Sequence, residues 1–262
     1  MVSGKNSKAA RNARASVVTK RPTPWGTIAA VAMVVLLAVG VFGYGIAANR
    51  ARDDQQAALA KFTPTAENQD PSLQIAGIVT QQYAGGQHVT PEQQVAYTHA
   101  PPFGGAHDGY WAACNGVVYP AAVRNENLVH SLEHGAVWIA YNPDQVVGEA
   151  LATLQKKVDG ERYMVMSPYP GLDSPVSLQS WGHQLKVGDV TDARIDEFIS
   201  SLKQNRYTHP EVGASCDATG PGAFDQDNPP PFVAPPALGT LGTQPEVSAT
   251  PASVAPDPAP MQ

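Results

Sequence analysis

Residues 25–47 read WGTIAAVAMVVLLAVGVFGYGIA, 23 positions without one charged side chain. At about 1.5 Å rise per residue this run makes a helix of roughly 35 Å, enough to cross the hydrocarbon of a bilayer with some tilt. A helix packed on a soluble core keeps a polar face, and this run has none. Trp25 and Tyr44 sit near its ends, where amphipathic rings favour the membrane interface. A single membrane span is therefore expected.

The flank sets its direction. Lys5, Lys8, Arg11, Arg14, Lys20 and Arg21 precede the span, and no acidic residue occurs in the first 24. The positive-inside rule keeps such an N-terminus in the cytoplasm and places the segment after the span outside. Gly45, Ala47 and Ala48 offer small residues to a signal peptidase, but a cleaved signal carries an apolar region of only about 7 to 15 residues. A retained anchor is the better reading, and either one exports the same domain.

The formal net charge of −6 hides an asymmetry, because the first 24 residues hold 6 of the 17 basic side chains. The rest carries 11 basic and 23 acidic groups, a balance of −12. A nucleic acid partner is excluded for that part, since phosphates demand Lys and Arg. The only two cysteines, Cys114 and Cys216, both follow the span. In an oxidising compartment such a pair forms a disulfide, and the alternative is two soft thiolate ligands for a metal.

The chain divides into a cytoplasmic basic tail (1–24), a transmembrane helix (25–47), a stalk or linker (48–71), a folded extracytoplasmic domain (72–220) and a tail (221–262). The tail holds 11 of the 24 prolines, so it is expected to be disordered. Within the domain, 135–141 (GAVWIAY) predicts a strand, Asp144 caps a helix to about Val158, and 163–167 predicts a second strand. Residues 176–185 predict a third strand, and Asp192 caps a helix to about Lys203 whose stripe is Ile195, Phe198, Ile199 and Leu202. This β-α-β-β-α order, read as a crossover followed by a hairpin, predicts an α+β domain with a mixed sheet behind one transmembrane helix. The half before it is rich in Gly and Pro and predicts ordered loops.

Those loops carry most of the histidines: five of seven fall between His88 and His134. His130 and His134 flank Ser131-Leu132-Glu133. On a helix capped by Asn125 or Asn127 and ended by Gly135, positions four apart share a face, so both imidazoles reach one ion. Two more donors are needed for a tetrahedral shell, and His88 and His107 are the nearest, with Glu133 as ligand, base or orienting group. His99 is a weaker candidate, and Met164 and Met166 would add thioethers if copper were the metal. The expected metal residues are thus His88, His107, His130, Glu133 and His134, for zinc or copper. Against this stands a bracing role, in which the same groups satisfy buried carbonyls. The pattern H-x-x-E-H also matches an inverted zinc-peptidase motif, but Gly135 and a strand follow at once where that motif needs a long helix. No C-x-x-C pair and no phosphate loop occur.

At His88, Tyr97, Pro101-Pro102-x-x-Gly105-x-His107, the block from Val129 to Gly135 with its following strand, and Trp181-Gly182, the chain resembles a family of bacterial membrane-anchored proteins catalogued as domain-of-unknown-function 3105. The resemblance covers about 73–216, implies an exported domain behind one span, and implies no activity. The family's proline turn usually has Ser where this chain has Gly104, which puts any role of that hydroxyl in doubt. The residues thus support three readings: a membrane-tethered metal-binding module, a non-catalytic interaction or envelope-structural domain, and a zinc hydrolase.

Overall fold

The computed structural model of the protein describes residues 24–246. The expected basic tail up to residue 23 and the last 16 residues of the expected Pro-rich tail lie outside the described residues. The chain divides into two units, meeting between Gln55 and Gln56. The first carries the apolar run, which forms helix α1 (Trp25–Leu59), 35 residues with no buried side chain. Among the described residues it alone is long and apolar enough to cross a membrane.

In the second unit, short 3-10 turns at Ala60–Phe62 and Pro71–Gln74 come first. Strands β1 (Val79–Thr80), β2 (His88–Val89), β3 (Val95–Ala96), β4 (His107–Asp108) and β5 (Asn115–Val118) lead to helix α2 (Asn125–Glu133). Then come β6 (Val137–Tyr141), α3 (Gly148–Val158), β7 (Met164–Pro168), β8 (Val176–Ser180), β9 (His183–Val187), α4 (Arg194–Leu202) and β10 (Gln244–Pro245). Six strands form one mixed sheet in the order β1-β9-β8-β6-β7-β5. Strands β6, β7 and β5 are parallel, whereas β8, β9 and β1 add on antiparallel to their neighbours. The fold is α+β, as the order of elements predicts.

Two hydrophobic clusters cover the two faces of this sheet, and the period of two along each strand sorts residues between them. Val137 and Ile139 of β6, Met164 and Met166 of β7, and Leu178 of β8 pack with Leu154 and Val158 of α3 and Ile195, Phe198 and Leu202 of α4. Trp138 and Ala140 face the other way, toward Leu128, Val129 and Leu132 of α2 and the loop aromatics Tyr83, Phe103 and Trp181. One face is thus a plain apolar core, and the other carries the histidine-bearing half of the domain.

Several expectations are corrected. The third strand, expected over 176–185, is a hairpin of two strands turned at Trp181-Gly182; Gly182 has φ +72, and a Cβ there would stand 2.8 Å from the Gln81 carbonyl. Strand β8 pairs with β6 and not with β7, so no hairpin joins the second and third expected strands. Helix α2 starts after Arg124 without a side-chain cap, because Asn127 donates instead to the Tyr110 carbonyl at 2.8 Å. Helix α3 likewise starts after Val147, not at Asp144. Asp192 does accept the Arg194 amide at 2.9 Å.

The expected stalk over 48–71 gives way early, since Phe62 is buried in the α4 cluster. The expected disordered tail is also corrected for its described part. Phe224 is buried against Tyr119, Phe232 packs on Tyr169, and β10 runs parallel to β3. A few aromatics among the prolines suffice to hold 221–246 on the domain, because each buries a large apolar area.

Two further ties hold the loops. Arg124, nearly buried, pairs with Asp108 and with Glu126 and donates to the Gln93 carbonyl at 2.7 Å. Cys114 and Cys216 form a disulfide across 102 positions, reinforced by the Cys114 amide donating to the Cys216 carbonyl at 2.9 Å. Closing so long a loop restricts the unfolded chain strongly. Replacing both cysteines by serine should therefore lower unfolding stability by roughly 2 to 5 kcal/mol, read as a fall in the urea midpoint. An unchanged midpoint would show that the hydrogen bonds hold this loop without the bridge.

Candidate metal centre

Backbone pairing places the first two imidazoles. Strands β2 and β4 run parallel with His88 opposite His107, so both rings project to one side, 4.9 Å apart between centroids. Helix α2 supplies the facing groups: Leu128, Val129 and Leu132 bury one side of it, and His130 and Glu133 emerge toward the β2–β4 pair. Gly135, at φ +88, ends the helix, and its amide donates to the Leu132 carbonyl at 2.9 Å. A Cβ at this glycine would stand 2.7 Å from His209 Nε2, so both its conformation and its surroundings require glycine.

Each buried ring is fixed by a backbone carbonyl. His107 Nδ1 donates to Gly105 at 2.8 Å, His130 Nδ1 to Asp108 at 2.6 Å and His134 Nδ1 to Ser215 at 2.6 Å. A carbonyl can only accept, so Nδ1 carries the hydrogen and each ring turns its Nε2 away from that carbonyl. This is the arrangement by which outer hydrogen bonds orient imidazole ligands of a metal.

Glu133 meets those nitrogens. Its Oε1 accepts the Gly86 amide at 2.6 Å, which leaves Oε2 facing His107 Nε2 at 2.7 Å and His88 Nε2 at 3.9 Å. His107 Nε2 and Glu133 Oε2 are buried, and neither has a properly aligned hydrogen-bond partner. With Nδ1–H committed to Gly105, two electron-rich atoms face each other in a dry place, an arrangement that calls for a proton or a metal cation. One donor atom from each of His88, His107, His130 and Glu133 lies within 4.8 Å of the others. Donors around a tetrahedral zinc stand roughly 3.3 Å apart, from bond lengths of about 2.0 to 2.1 Å. The half-exposed His88 side chain is the group most able to close that gap. Three imidazoles and a carboxylate fit a borderline divalent ion.

Burial disfavours the charged form of three of the histidines. Burial, then the neighbouring His107, holds His130 down to about 3. Burial likewise lowers His134 and His209. Burial acts to raise the Glu133 carboxyl, but the adjacent His107 imidazole and the Gly86 amide outweigh it and keep it below its usual range. Unprotonated imidazoles and an ionised carboxylate are the ligand forms a metal requires.

The five expected residues do not converge on a single point. His88, His107, His130 and Glu133 form one group, while His134 joins His130 and Glu211 in a second. Residues four apart on α2 therefore share His130's neighbourhood without all serving one shell. His99 packs at a tilt against Phe103, outside both groups. Met164 and Met166 lie on the opposite face of the sheet, and the disulfide removes both thiols as ligands. Glu211 and His209 carried no signal in spacing, since both follow α4 by several residues and return to the site only in three dimensions. At Gly104 a Cβ would stand 2.2 Å from the Tyr83 ring, so the serine common in the family has no room here, and no hydroxyl contributes from that position.

The family described as "Protein of unknown function (DUF3105)" matches residues 88–218, which is half of the chain and includes all of these groups. The chain belongs to this family. Comparison with curated proteins and with solved structures gives no match.

The lowered histidines set an acid limit. In the unfolded chain they take up protons below about pH 6.5, while folded His130 resists down to about 3. The unfolded state therefore binds more protons, and stability present above pH 6.5 falls as pH drops through that window. The contribution of His130 to the slope is at most about 1.4 kcal/mol per pH unit. Urea melts of the metal-free protein between pH 7.5 and 4.5 should show this loss, and His130→Gln should flatten it. Parallel curves for the two proteins would contradict the assignment.

Proposed function

We propose that this protein is a membrane-tethered module that binds one transition-metal ion outside the cytoplasm, with His88, His107, His130 and Glu133 as ligands. The observation that carries the reading is the convergence of one donor atom each from His88, His107, His130 and Glu133 within 4.8 Å, three of the four residues buried. A cation among such donors would be coordinated by imidazole nitrogens and a carboxylate oxygen. The absence of thiol and thioether donors from this group favours a divalent ion of borderline character over a soft monovalent one. Zinc and divalent copper are the ions to try first.

The tether and its side of the membrane rest on α1, the basic residues before it, and the disulfide, which persists in oxidising compartments. The division into tail (1–24), span (25–47), linker, domain and terminal tail belongs to the same proposal, with the domain taken to begin at Phe62. A membrane-impermeant maleimide added to intact cells should label Asp159→Cys, at an exposed position on the domain. Labelling that appears only after the cells are broken open would reverse the orientation.

A second reading has one observation in its favour. The Glu133 carboxylate accepts the Gly86 amide at 2.6 Å and lies 2.7 Å from His107 Nε2, so its side chain also serves as a brace, and a proton on His107 could replace the metal. Thermal melts separate the two. Metal at about a hundred times its Kd stabilises the native state by roughly 2.7 kcal/mol, a rise of several degrees that Glu133→Gln should cut by about half or more. Melting temperatures that ignore Zn²⁺ and Cu²⁺ in the unaltered protein would leave the brace as the function of these residues.

A further inference from the structure

We infer that His130 is a shared ligand between two overlapping metal positions, so that the chain holds one ion at a time and passes it between an inner position, with His88, His107 and Glu133, and an outer one completed by His134 and Glu211. The inference rests on the metal-binding reading and adds to it a second position and a route.

The outer group is built as deliberately as the inner one. His134 Nδ1 donates to the Ser215 carbonyl at 2.6 Å, which turns Nε2 toward Glu211 Oε2 at 3.1 Å. Ser215 is held in place by its neighbour Cys216, through the disulfide and the bond from the Cys114 amide. Glu211 is anchored by its own amide, which donates to the Glu133 carbonyl at 3.2 Å. One donor atom each from His130, His134 and Glu211 lies within 4.8 Å of the others. An imidazole nitrogen and a carboxylate oxygen again face each other at 3.1 Å.

His130 stands between the groups. Its ring lies 4.8 Å from that of His107 and 4.6 Å from that of His134. Its Nδ1 is committed to the Asp108 carbonyl at 2.6 Å, so Nε2 is the only nitrogen it can offer. One lone pair serves one ion. With an ion in the inner position, the outer keeps only His134 and Glu211, half of a four-coordinate shell. Two ions held together would also repel across a short, poorly solvated gap. Single occupancy is the consequence.

Both positions reach solvent, the outer through the Glu211 side chain, 41 % exposed, and the inner through that of His88, 45 % exposed, while Glu133 is fully buried. An ion captured at Glu211 and His134 can exchange those two ligands for His107 and Glu133 while His130 remains bound, so it is never released to water on the way. Trp111 packs against the rings of both His130 and His134 and walls this passage on one side.

Calorimetric titration of the full chain in detergent micelles with Zn²⁺ tests the arrangement. The unaltered protein should bind one ion per chain. Glu133→Gln should still bind one ion, at least about tenfold more weakly, and adding Glu211→Gln to that variant should remove the residual binding. Glu211→Gln alone, a change at a half-exposed side chain, should keep one ion while slowing its release to excess chelator severalfold. Two ions per chain would overturn the shared ligand. Residual binding in Glu133→Gln that is indifferent to Glu211→Gln would overturn the outer position, and an unchanged release rate would overturn the route. A protein that binds no Zn²⁺ or Cu²⁺ at all would remove the metal-binding reading itself, an outcome distinct from these three.

Discussion

Hydrogen bonds from imidazole Nδ1 to backbone carbonyls are the interaction on which the rest of this structure turns. Gly105, Asp108 and Ser215 hold His107, His130 and His134 in this way, and the Glu133 carbonyl holds His209. Each bond settles a tautomer, because a carbonyl has no hydrogen to give. A buried ring so fixed can neither rotate nor exchange its nitrogens without losing a bond inside the protein, at a cost of about 1 to 3 kcal/mol. The Nε2 atoms therefore converge as a consequence of where the backbone runs.

That backbone is held by three different kinds of tie. The apolar face of the sheet, under α3 and α4, gives rigidity without chemistry. The opposite face, under α2, carries polar groups inside the fold, and several are matched: Arg124 by Asp108 and Glu126, the Val95 amide by Glu126, Ser131 by the Ala112 carbonyl. The disulfide then fastens the segment after α4, which brings Glu211 and Ser215 back to the end of α2. Removing Arg124 or Glu126 would leave buried polar atoms unpaired.

The legibility of the site followed the distance along the chain over which each contact acts. His130, Glu133 and His134 were visible as a group because helical spacing alone brings them near one another. His88 and His107 were visible as nearby histidines, but their register across β2 and β4 was not, since two-residue strands leave no periodic trace. Glu211 was invisible, lying far past His134 with two α-helices and four strands between them. The single shell expected from spacing became two groups because His134 caps the helix and turns toward Ser215 rather than toward His107. The Pro-rich stretch after 221 misled for the opposite reason, as composition described its average and two phenylalanines decided its packing.

The amino-acid sequence by itself determined the apolar helix, the α+β class and the identity of the residues rich in donor nitrogen. Each of these depends on local pattern or on counting, where neighbours in the chain are also neighbours in the physics. The tertiary structure alone decided the strand order, the split of the histidines into an inner and an outer group, and the arrival of Glu211. Those outcomes depend on which backbone carbonyl lies within about 3 Å of which ring, and contacts of that kind between distant segments exist only after the chain has folded.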